Sequence, residues 1–317
     1  MSAVETFLRT HRLRPLEFLP FALAVGAYFV FPDYLALGSQ VLIMILFALS
    51  LDLVLGYAGI VTLGHAAFFG TGAYAAGIYA VHLSHEPLSG LLVAAVAAGA
   101  IGLLSGLVIL RTTGLTLLML TLAIGSMLAE AANKATALTG GNDGLQGISI
   151  DPVLGLFRFD LFGRSAYVYC LIVLFLAWVF LRWLVFSPFG RSLTGIRENI
   201  ARMHAIGAPV RQRQVIAYTT SAALAGLAGG LLAQTTQFVG LTTLGFERSG
   251  SIVIMLVLGG AGRLYGAFVG AAVYMIAQDQ LAEVAPAFWN FWIGLLLVLI
   301  ALFARGGLLG LADRLRR

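Results

Sequence analysis

The stretch Gly56–Tyr74, GYAGIVTLGHAAFFGTGAY, lies between two strongly apolar segments and contains no acidic or basic residue except His65. Glycine recurs along it, at Gly56, Gly59 and Gly64 and again inside the apolar segment that follows. In a membrane, glycine lets helices approach closely and lets a helix break where the freed backbone groups face protein or a cavity. The stretch therefore predicts a helix break inside a membrane-embedded bundle.

The overall composition is that of a membrane protein. Of the 317 residues, 60% are hydrophobic and 10% are charged, and the mean hydropathy is +0.96. A soluble domain carries about 25% charged residues, so this chain lacks the polar surface that would keep it in water. The single cysteine, Cys170, is interpreted as a packing residue, because one thiol forms neither an intramolecular disulfide nor a cysteine metal cluster.

The hydrophobic segments predict an all-α polytopic membrane protein with about ten transmembrane segments, some of them short or broken by glycine. Residues 1–15 are a cytoplasmic N-terminus, residues 16–305 the transmembrane domain, and residues 306–317 a cytoplasmic basic tail. The predicted segments are, in order, Leu16–Phe31, Leu37–Leu55, Ala66–Val81, Leu88–Leu110, Leu115–Ala132, Ala166–Val185, Val215–Ala233, Ser249–Leu258, Tyr265–Ala277 and Phe288–Phe303.

The basic residues predict the orientation. With the N-terminus in the cytoplasm and every predicted segment crossing once, all but four of the 19 lysines and arginines fall inside, in agreement with the positive-inside rule. The four outside are Lys134, Arg158, Arg164 and Arg248. We therefore expect both termini in the cytoplasm, and the net charge of +5 requires no nucleic acid as a partner.

The longest outside stretch, residues 133–164, is predicted to be a periplasmic loop. It carries Asp143, Asp151 and Asp160 among glycine and proline residues. Two interpretations fit this composition. The loop is either a solvated connector between membrane segments, or a surface that meets an external partner or shapes a pore entrance.

A second glycine turn resembles the opening stretch, since Val257–Gly262 and Val54–Gly59 both have the pattern VLGxAG. This similarity follows either from an internal repeat, as transporters often have, or from the glycine and alanine bias of the chain. His65 is interpreted as a structural histidine, with substrate contact or proton relay as the alternatives. The residues predicted to line the translocation pathway or to break its helices are Gly56, Gly59, Thr62, Gly64, His65, Gly259, Gly260 and Gly262.

The stretch Ser187–Gln214, SPFGRSLTGIRENIARMHAIGAPVRQRQ, is a predicted cytoplasmic loop. Its apolar residues recur every three or four positions, which predicts one amphipathic helix over Leu193–Ile206 with a stop at Gly207. Such a helix either lies on the lipid surface or docks into a groove of a cytosolic partner and transmits force. The apolar stripe consists of Leu193, Ile196, Ile200, Met203 and Ile206, of which Ile200 and Met203 are the expected anchors.

Three stretches resemble the branched-chain amino acid ABC transporter permeases of the LivM type. RENIARMHAIGAPVRQRQ and the following SAALAGLAGG are similar to that family's coupling loop and next helix. GYAGIVTLGHAAFFGTGAY resembles its G-x-x-G-Q-x-S-L-G-H-A-A-F-F-G-x-G-A-Y, and VLGGAGRLYGAFVGA and RGGLLGL are also family-like. The chain departs from the pattern at Ile60, where Gln is usual, at Thr62, where Ser is common, and at Ile206, which precedes Gly207 rather than following it.

The resemblance implies a non-catalytic permease subunit of a binding-protein-dependent importer in the bacterial inner membrane. A homologous second permease would complete the pathway, two ABC ATPase subunits would bind on the cytoplasmic side, and a periplasmic binding protein would deliver the substrate. This chain has no Gly-x-x-x-x-Gly-Lys-Ser/Thr phosphate loop, so no cofactor is expected on it, and ATP and Mg would bind the partner ATPases. The implied ATPase-coupling residues are Leu193, Arg197, Glu198, Asn199, Ile200, Met203 and Gly207.

The implied substrates are branched-chain or other hydrophobic amino acids, with urea, short amides or aromatic acids as alternatives. Two other classes of function stay open. A membrane-embedded enzyme would need clustered acidic residues or histidines at one level, and His82, His85 and Glu86 are the candidate cluster. A partner-independent carrier would purify alone, whereas a permease would purify with an ATPase.

Overall fold

The computed structural model describes residues 15–152 and 163–284, and short pieces at 291–292, 294–295 and 307–310. The predicted tenth segment, both predicted tails and the middle of the predicted periplasmic loop lie largely or wholly outside these residues. The described α-helices of more than four residues are α1 (Leu19–Val30), α2 (Leu35–Leu51), α3 (Ala66–His82), α4 (Pro87–Ile109), α5 (Leu115–Lys134), α6 (Arg164–Phe186), α7 (Pro188–Glu198), α8 (Ile200–Ala205), α9 (Val210–Thr236), α10 (Phe246–Gly259) and α11 (Leu264–Val284).

The described part of the chain is a helical bundle of a multi-pass membrane protein. Five stretches are long and apolar enough to cross a membrane, namely Pro32–Tyr57, Pro87–Ile109, Leu115–Lys134, Arg164–Phe186 and Val210–Thr236. Helices α10 and α11 are bent by 116° at the break between them, as in a broken span or a re-entrant loop. Helices α1 and α3, with 12 and 17 residues, are shorter than the ~20 residues of a typical crossing. Ten crossings and cytoplasmic termini therefore stay predictions.

Helix α9 lies at the centre of the bundle and packs closely on α3 and α4. Small residues make this possible, because a Cβ at Gly72 of α3 would overlap the backbone of Gly226 in α9. A Cβ at Gly230, one turn further along α9, would lie 2.9 Å from the Cβ of Ala94 in α4. Helix α9 is also joined to α2, since the Ser221 hydroxyl donates a hydrogen bond to the carbonyl of Ser50.

The described part of the predicted periplasmic loop packs on the bundle. Leu145 and Ile148 are buried, and a Cβ at Gly77 of α3 would lie 2.7 Å from a methyl group of Leu145. The backbone of Leu145 also pairs with Val239 in an isolated antiparallel bridge. These contacts hold Leu145 and Ile148 against α3 and the turn between α9 and α10.

Candidate functional site

The first glycine turn begins where α2 changes from an α-helix to a π-helix over Asp52–Tyr57. The π-helix ends at Ala58, and Gly59 has φ +71°, a left-handed conformation that glycine adopts without steric strain. Single π-helical turns are rare and occur often at functional sites. The predicted helix break after Leu55 is therefore present in the structure.

The two VLGxAG turns meet in space. The backbone N–H of Gly262 donates a 2.7 Å hydrogen bond to Oδ1 of Asp52, and a Cβ at Gly56 would lie 2.5 Å from the same nitrogen. Gly59 and Gly262 occupy the same position in the two patterns, and both have positive φ, +71° and +81°. Both turns therefore use a left-handed glycine at the same position of the pattern, and the internal repeat stays a prediction.

Arg197 of α7 fills the space beside both turns. Its guanidinium donates a hydrogen bond to the carbonyl of Gly56. A Cβ added to Gly59 would lie 2.9 Å from Cγ of Arg197. A Cβ added to Gly262 would lie 2.7 Å from Nη1 of the same side chain. We call Asp52, Gly56, Gly59, Arg197 and Gly262 the glycine junction. The junction joins the predicted coupling loop to two helix breaks that are far apart in the sequence.

Asp52 supplies the carboxyl group of the glycine junction. Its side chain is fully buried, and Oδ2 has no hydrogen-bond partner among the described residues. The positive charge of Arg197 acts on this carboxylate and partly compensates its burial. Sequence reasoning had not selected Asp52 as a site residue. The sequence does contain a signal for Asp52, because it is an acidic residue in an apolar segment, one helical turn before Gly56.

The predicted single helix over Leu193–Ile206 is wrong, because the structure divides it at Asn199. Helix α7 begins earlier, at Pro188, where the Ser187 hydroxyl accepts a hydrogen bond from the N–H of Gly190. Asn199 has φ −158° and ψ 100°, and its Oδ1 accepts a 2.9 Å hydrogen bond from the N–H of Arg202. Asparagine is a strong N-cap, so it starts the separate helix α8 instead of continuing α7.

The break divides the apolar stripe between two environments. Leu193 and Ile196 of α7 are fully buried in the bundle, whereas Ile200 and Ile206 are 44% and 71% exposed. Met203 packs back towards α7, since a Cβ at Gly195 would lie 2.9 Å from its sulfur. Ile200 and Ile206, rather than Ile200 and Met203, are therefore the exposed apolar pair that a partner could cover.

Two of the predicted coupling residues, Arg197 and Glu198, are not part of the apolar stripe. Arg197 points into the glycine junction. Glu198 is exposed at the end of α7. Gly207 has φ +77° beyond α8, which agrees with the predicted helix stop.

His65 forms a separate buried site just before α3. Its Nε2 lies 3.0 Å from the hydroxyl of Ser50, its ring stacks on Phe47 at 5.5 Å between centroids, and Phe68 meets it edge-on at 5.8 Å. Nδ1 has no hydrogen-bond partner in the described part of the chain. A hydroxyl and aromatic rings favour the neutral imidazole, so these contacts fit a structural histidine.

Close backbone contacts surround His65. A Cβ at Gly64 would overlap the carbonyl oxygen of Thr121 in α5, and the hydroxyl of Ser249 in α10 accepts a 2.9 Å hydrogen bond from the N–H of Ala66. Thr62 is buried and accepts a 3.3 Å hydrogen bond from the N–H of Gly64. The stretch between α2 and α3 is thus fixed by α5 and α10. Sequence reasoning had selected neither Thr121 nor Ser249, although both are polar residues close to or within apolar segments.

The remaining predicted pathway glycines serve packing between α10 and α11. A Cβ at Gly259 would overlap the carbonyl oxygen of Gly266, and Gly260 has φ +110° at the bend. A Cβ at Gly307 would lie 2.5 Å from the backbone nitrogen of Gly260. Gly259 and Gly260 therefore hold the second turn in shape, while Gly262 makes the contact with the first turn.

His65→Gln is expected to retain most transport, because glutamine can still exchange a hydrogen bond with Ser50. His65→Leu is the matched control, since leucine keeps the bulk and leaves the Ser50 hydroxyl without its partner. We expect a thermal midpoint lower for His65→Leu than for His65→Gln, measured on purified protein alongside substrate uptake. Loss of uptake in a stably assembled His65→Gln protein would instead assign protonation or substrate contact to His65.

The arrangement consists of glycine turns, the Asp52 carboxyl group, the Arg197 guanidinium and the His65 imidazole, each engaged in packing or hydrogen bonding. It can transmit displacement from α7 to α2 and to the bend between α10 and α11.

A family model described as "Branched-chain amino acid transport system / permease component" matches residues 34–301. This chain belongs to that family. The permease family consists of transporter membrane components.

The curated relatives agree with the permease family. The high-affinity branched-chain amino acid transport system permease protein LivM of Escherichia coli (strain K12) is 27% identical over 294 residues, covering 86% of this chain and 69% of the relative. LivM of Salmonella typhimurium is 27% identical over 303 residues with the same coverage. The autoinducer 2 import system permease protein LsrC of Klebsiella pneumoniae is 32% identical over 139 residues, or 41% of this chain and 38% of the relative. No solved structure matches the chain.

Proposed function

We propose that this chain is a permease subunit of a binding-protein-dependent ABC importer of the bacterial inner membrane, and that it imports branched-chain or other hydrophobic amino acids. The substrate is carried over from the two LivM relatives, which match across most of the chain. In this proposal the chain forms half of the translocation pathway and a homologous permease forms the other half. Two ABC ATPase subunits bind ATP and Mg, and a periplasmic binding protein delivers the substrate.

The contact of Arg197 with both glycine turns is the observation that carries this proposal. A helix that is pushed by an ATPase can move the membrane segments only if it is joined to them. Arg197 donates a hydrogen bond to Gly56 and lies against Gly262, so a displacement of α7 reaches α2 and the bend between α10 and α11 together. The exposed Ile200 and Ile206 offer an apolar surface for the partner on the adjacent helix and turn.

Reconstitution tests the proposed function directly. The chain, its partner permease, the ATPases and the binding protein are placed in proteoliposomes, and uptake of radiolabelled leucine and valine is measured with ATP inside. We expect uptake that requires both ATP and the binding protein. Uptake by this chain alone would instead show a partner-independent carrier. A second panel with urea, acetamide and phenylalanine would identify a different substrate class.

Arg197→Ala is expected to reduce substrate-stimulated ATP hydrolysis about 10- to 100-fold while the ATPase still co-purifies. A hydrogen bond from a charged donor contributes about 1.5–3 kcal/mol, and its loss separates α7 from the Gly56 turn. Arg197→Lys keeps the charge but loses the planar fork, so its activity is expected to lie between that of Arg197→Ala and the unmodified protein. Normal stimulation in Arg197→Ala would remove the glycine junction from the coupling route.

A further inference from the structure

A small cavity of about 220 Å³ lies among α2, α3, the end of α9 and the start of α10, apart from the glycine junction. Its apolar wall includes Met44 of α2, Phe69 of α3 and Met275 of α11. Phe69 also contacts Phe47, at 4.5 Å between ring centroids, and Phe47 stacks on His65. Two packed aromatic rings, Phe69 and Phe47, therefore lie between the cavity and the buried His65.

The polar wall of the same cavity is dominated by Arg248, which lies in the first turn of α10 and is half-buried. No acidic side chain among residues 15–152 and 163–284 forms an ion pair with its guanidinium; Glu247, its neighbour, is exposed. A cation in the first turn of a helix also adds to the positive end of the helix dipole. An arginine withdrawn from water without a counter-charge favours a bound anion.

Two further polar groups complete the polar wall. Thr243 donates its hydroxyl proton to the carbonyl of Gly240 at 2.8 Å, so the oxygen of that hydroxyl keeps its capacity to accept. Gln40 lines the cavity from the exposed end of α2 and carries a second acceptor oxygen. A guanidinium and neutral acceptor oxygens near an apolar wall match a ligand with a carboxylate, an ammonium group and an aliphatic chain.

The volume agrees with this chemistry. An apolar cavity of about 150 Å³ in a protein holds benzene, so about 220 Å³ gives room for roughly nine non-hydrogen atoms. That is the size of leucine or isoleucine. A tryptophan-sized ligand would not fit without a rearrangement of the surrounding helices.

We propose that this cavity is a transit site for a small aliphatic α-amino acid, in which Arg248 binds the carboxylate and Met44, Phe69 and Met275 hold the aliphatic side chain. The proposal rests on the import function proposed above and deepens it, because it names the group of the substrate that this chain itself recognises. It predicts that the permease adds its own selection for a free carboxylate to that of the binding protein.

Arg248→Gln tests the carboxylate contact in the complete transporter. Leucine uptake is expected to fall about 10- to 100-fold, the loss that follows removal of a charge-assisted hydrogen bond. Arg248→Lys is expected to retain an intermediate rate, and Arg164→Gln, at an exposed arginine on the start of α6, is expected to leave uptake unchanged. Unchanged uptake in Arg248→Gln would overturn the proposal.

Direct binding to the purified chain in nanodiscs separates this proposal from the proposed function. Saturation-transfer NMR is expected to show binding of leucine and of 4-methylpentanoate, which lacks the amine, and weak binding of leucinamide, which lacks the carboxylate. Arg248→Gln is expected to lose the first two signals. If the complete transporter imports no amino acid but these signals persist and depend on Arg248, the proposed function fails and the site stands. Equal binding of leucine and leucinamide would reject the site.

Met275→Trp provides a test that does not depend on charge. The larger side chain reduces the space inside the cavity, so uptake of leucine is expected to fall more than uptake of alanine. An equal loss for both substrates, or no loss in a correctly assembled transporter, would contradict a transit site at this cavity. This readout remains available if Arg248→Gln assembles poorly.

Discussion

Gly56→Leu is expected to abolish import, whereas Gly26→Leu leaves it intact. A Cβ at Gly56 would overlap the carboxylate of Asp52 and lie 2.5 Å from the backbone nitrogen of Gly262, so the two turns could no longer meet. Overpacking in a core that can adjust costs about 1–3 kcal/mol, and here one of the opposing atoms is backbone, which adjusts least. We therefore expect at least a ~100-fold loss of uptake.

Gly26 is the matched control for this experiment, because it lies in an exposed part of α1 with nothing within 4 Å of an added Cβ. Uptake is measured in proteoliposomes at equal amounts of assembled complex, together with the thermal midpoint of each variant. Gly59→Leu and Gly64→Leu are expected to behave like Gly56→Leu, since they oppose Arg197 and the Thr121 carbonyl. Full uptake by Gly56→Leu would show that the two turns need not touch.

Ile200→Asp combined with Ile206→Asp is expected to separate the permease from its ATPase without unfolding it. Both residues are exposed in this chain, at 44% and 71%, so the substitution removes little internal packing. Burial of one such side chain by a partner is worth about 1.5–3 kcal/mol, and loss of both weakens association by ~100-fold or more. The measurement is pull-down of the ATPase, followed by substrate-stimulated ATP hydrolysis.

Leu138→Asp is the control for the ATPase-binding surface, because Leu138 is 52% exposed but lies in the predicted periplasmic loop. It introduces the same charge at a similar exposure and is expected to leave co-purification unchanged. Met203→Asp is informative in a different way, since Met203 packs towards Gly195 and its substitution is expected to lower the stability of the loop. Normal co-purification of the ATPase with the double variant would place the docking surface on other residues.

The local sequence determined which segments are helical and apolar. The predicted second and fourth segments, Leu37–Leu55 and Leu88–Leu110, agree within a few residues with the helical stretches Pro32–Tyr57 and Pro87–Ile109. The reason is that the burial of a continuous apolar run and the closing of its own backbone hydrogen bonds are both local properties of a helix in lipid. The glycine break after Leu55 was also predictable locally, because glycine readily adopts a positive φ such as that of Gly59.

The resemblance carried by three local motifs was confirmed by the family match over residues 34–301, so the class of protein could be predicted from the sequence alone. The ends of the helices in the predicted coupling loop could not be predicted from the sequence alone. A spacing of three and four predicts one helical face, but the side chain of Asn199 caps a new helix, and that competition is decided by the local backbone. The outcome places Leu193 in the bundle and leaves Ile206 exposed.

Only the tertiary structure decided which groups meet at the glycine junction. Asp52 and Gly262 are 210 positions apart, and Arg197 and Gly56 are 141 apart, so no periodicity links them. Their contact depends on the 116° bend between α10 and α11 and on the close packing that α9 allows. The sequence specified glycines that permit close approach at each turn. The pairs of backbones that approach each other were set by the joint packing of several helices, because close contact of small residues depends on the positions of all the neighbouring helices.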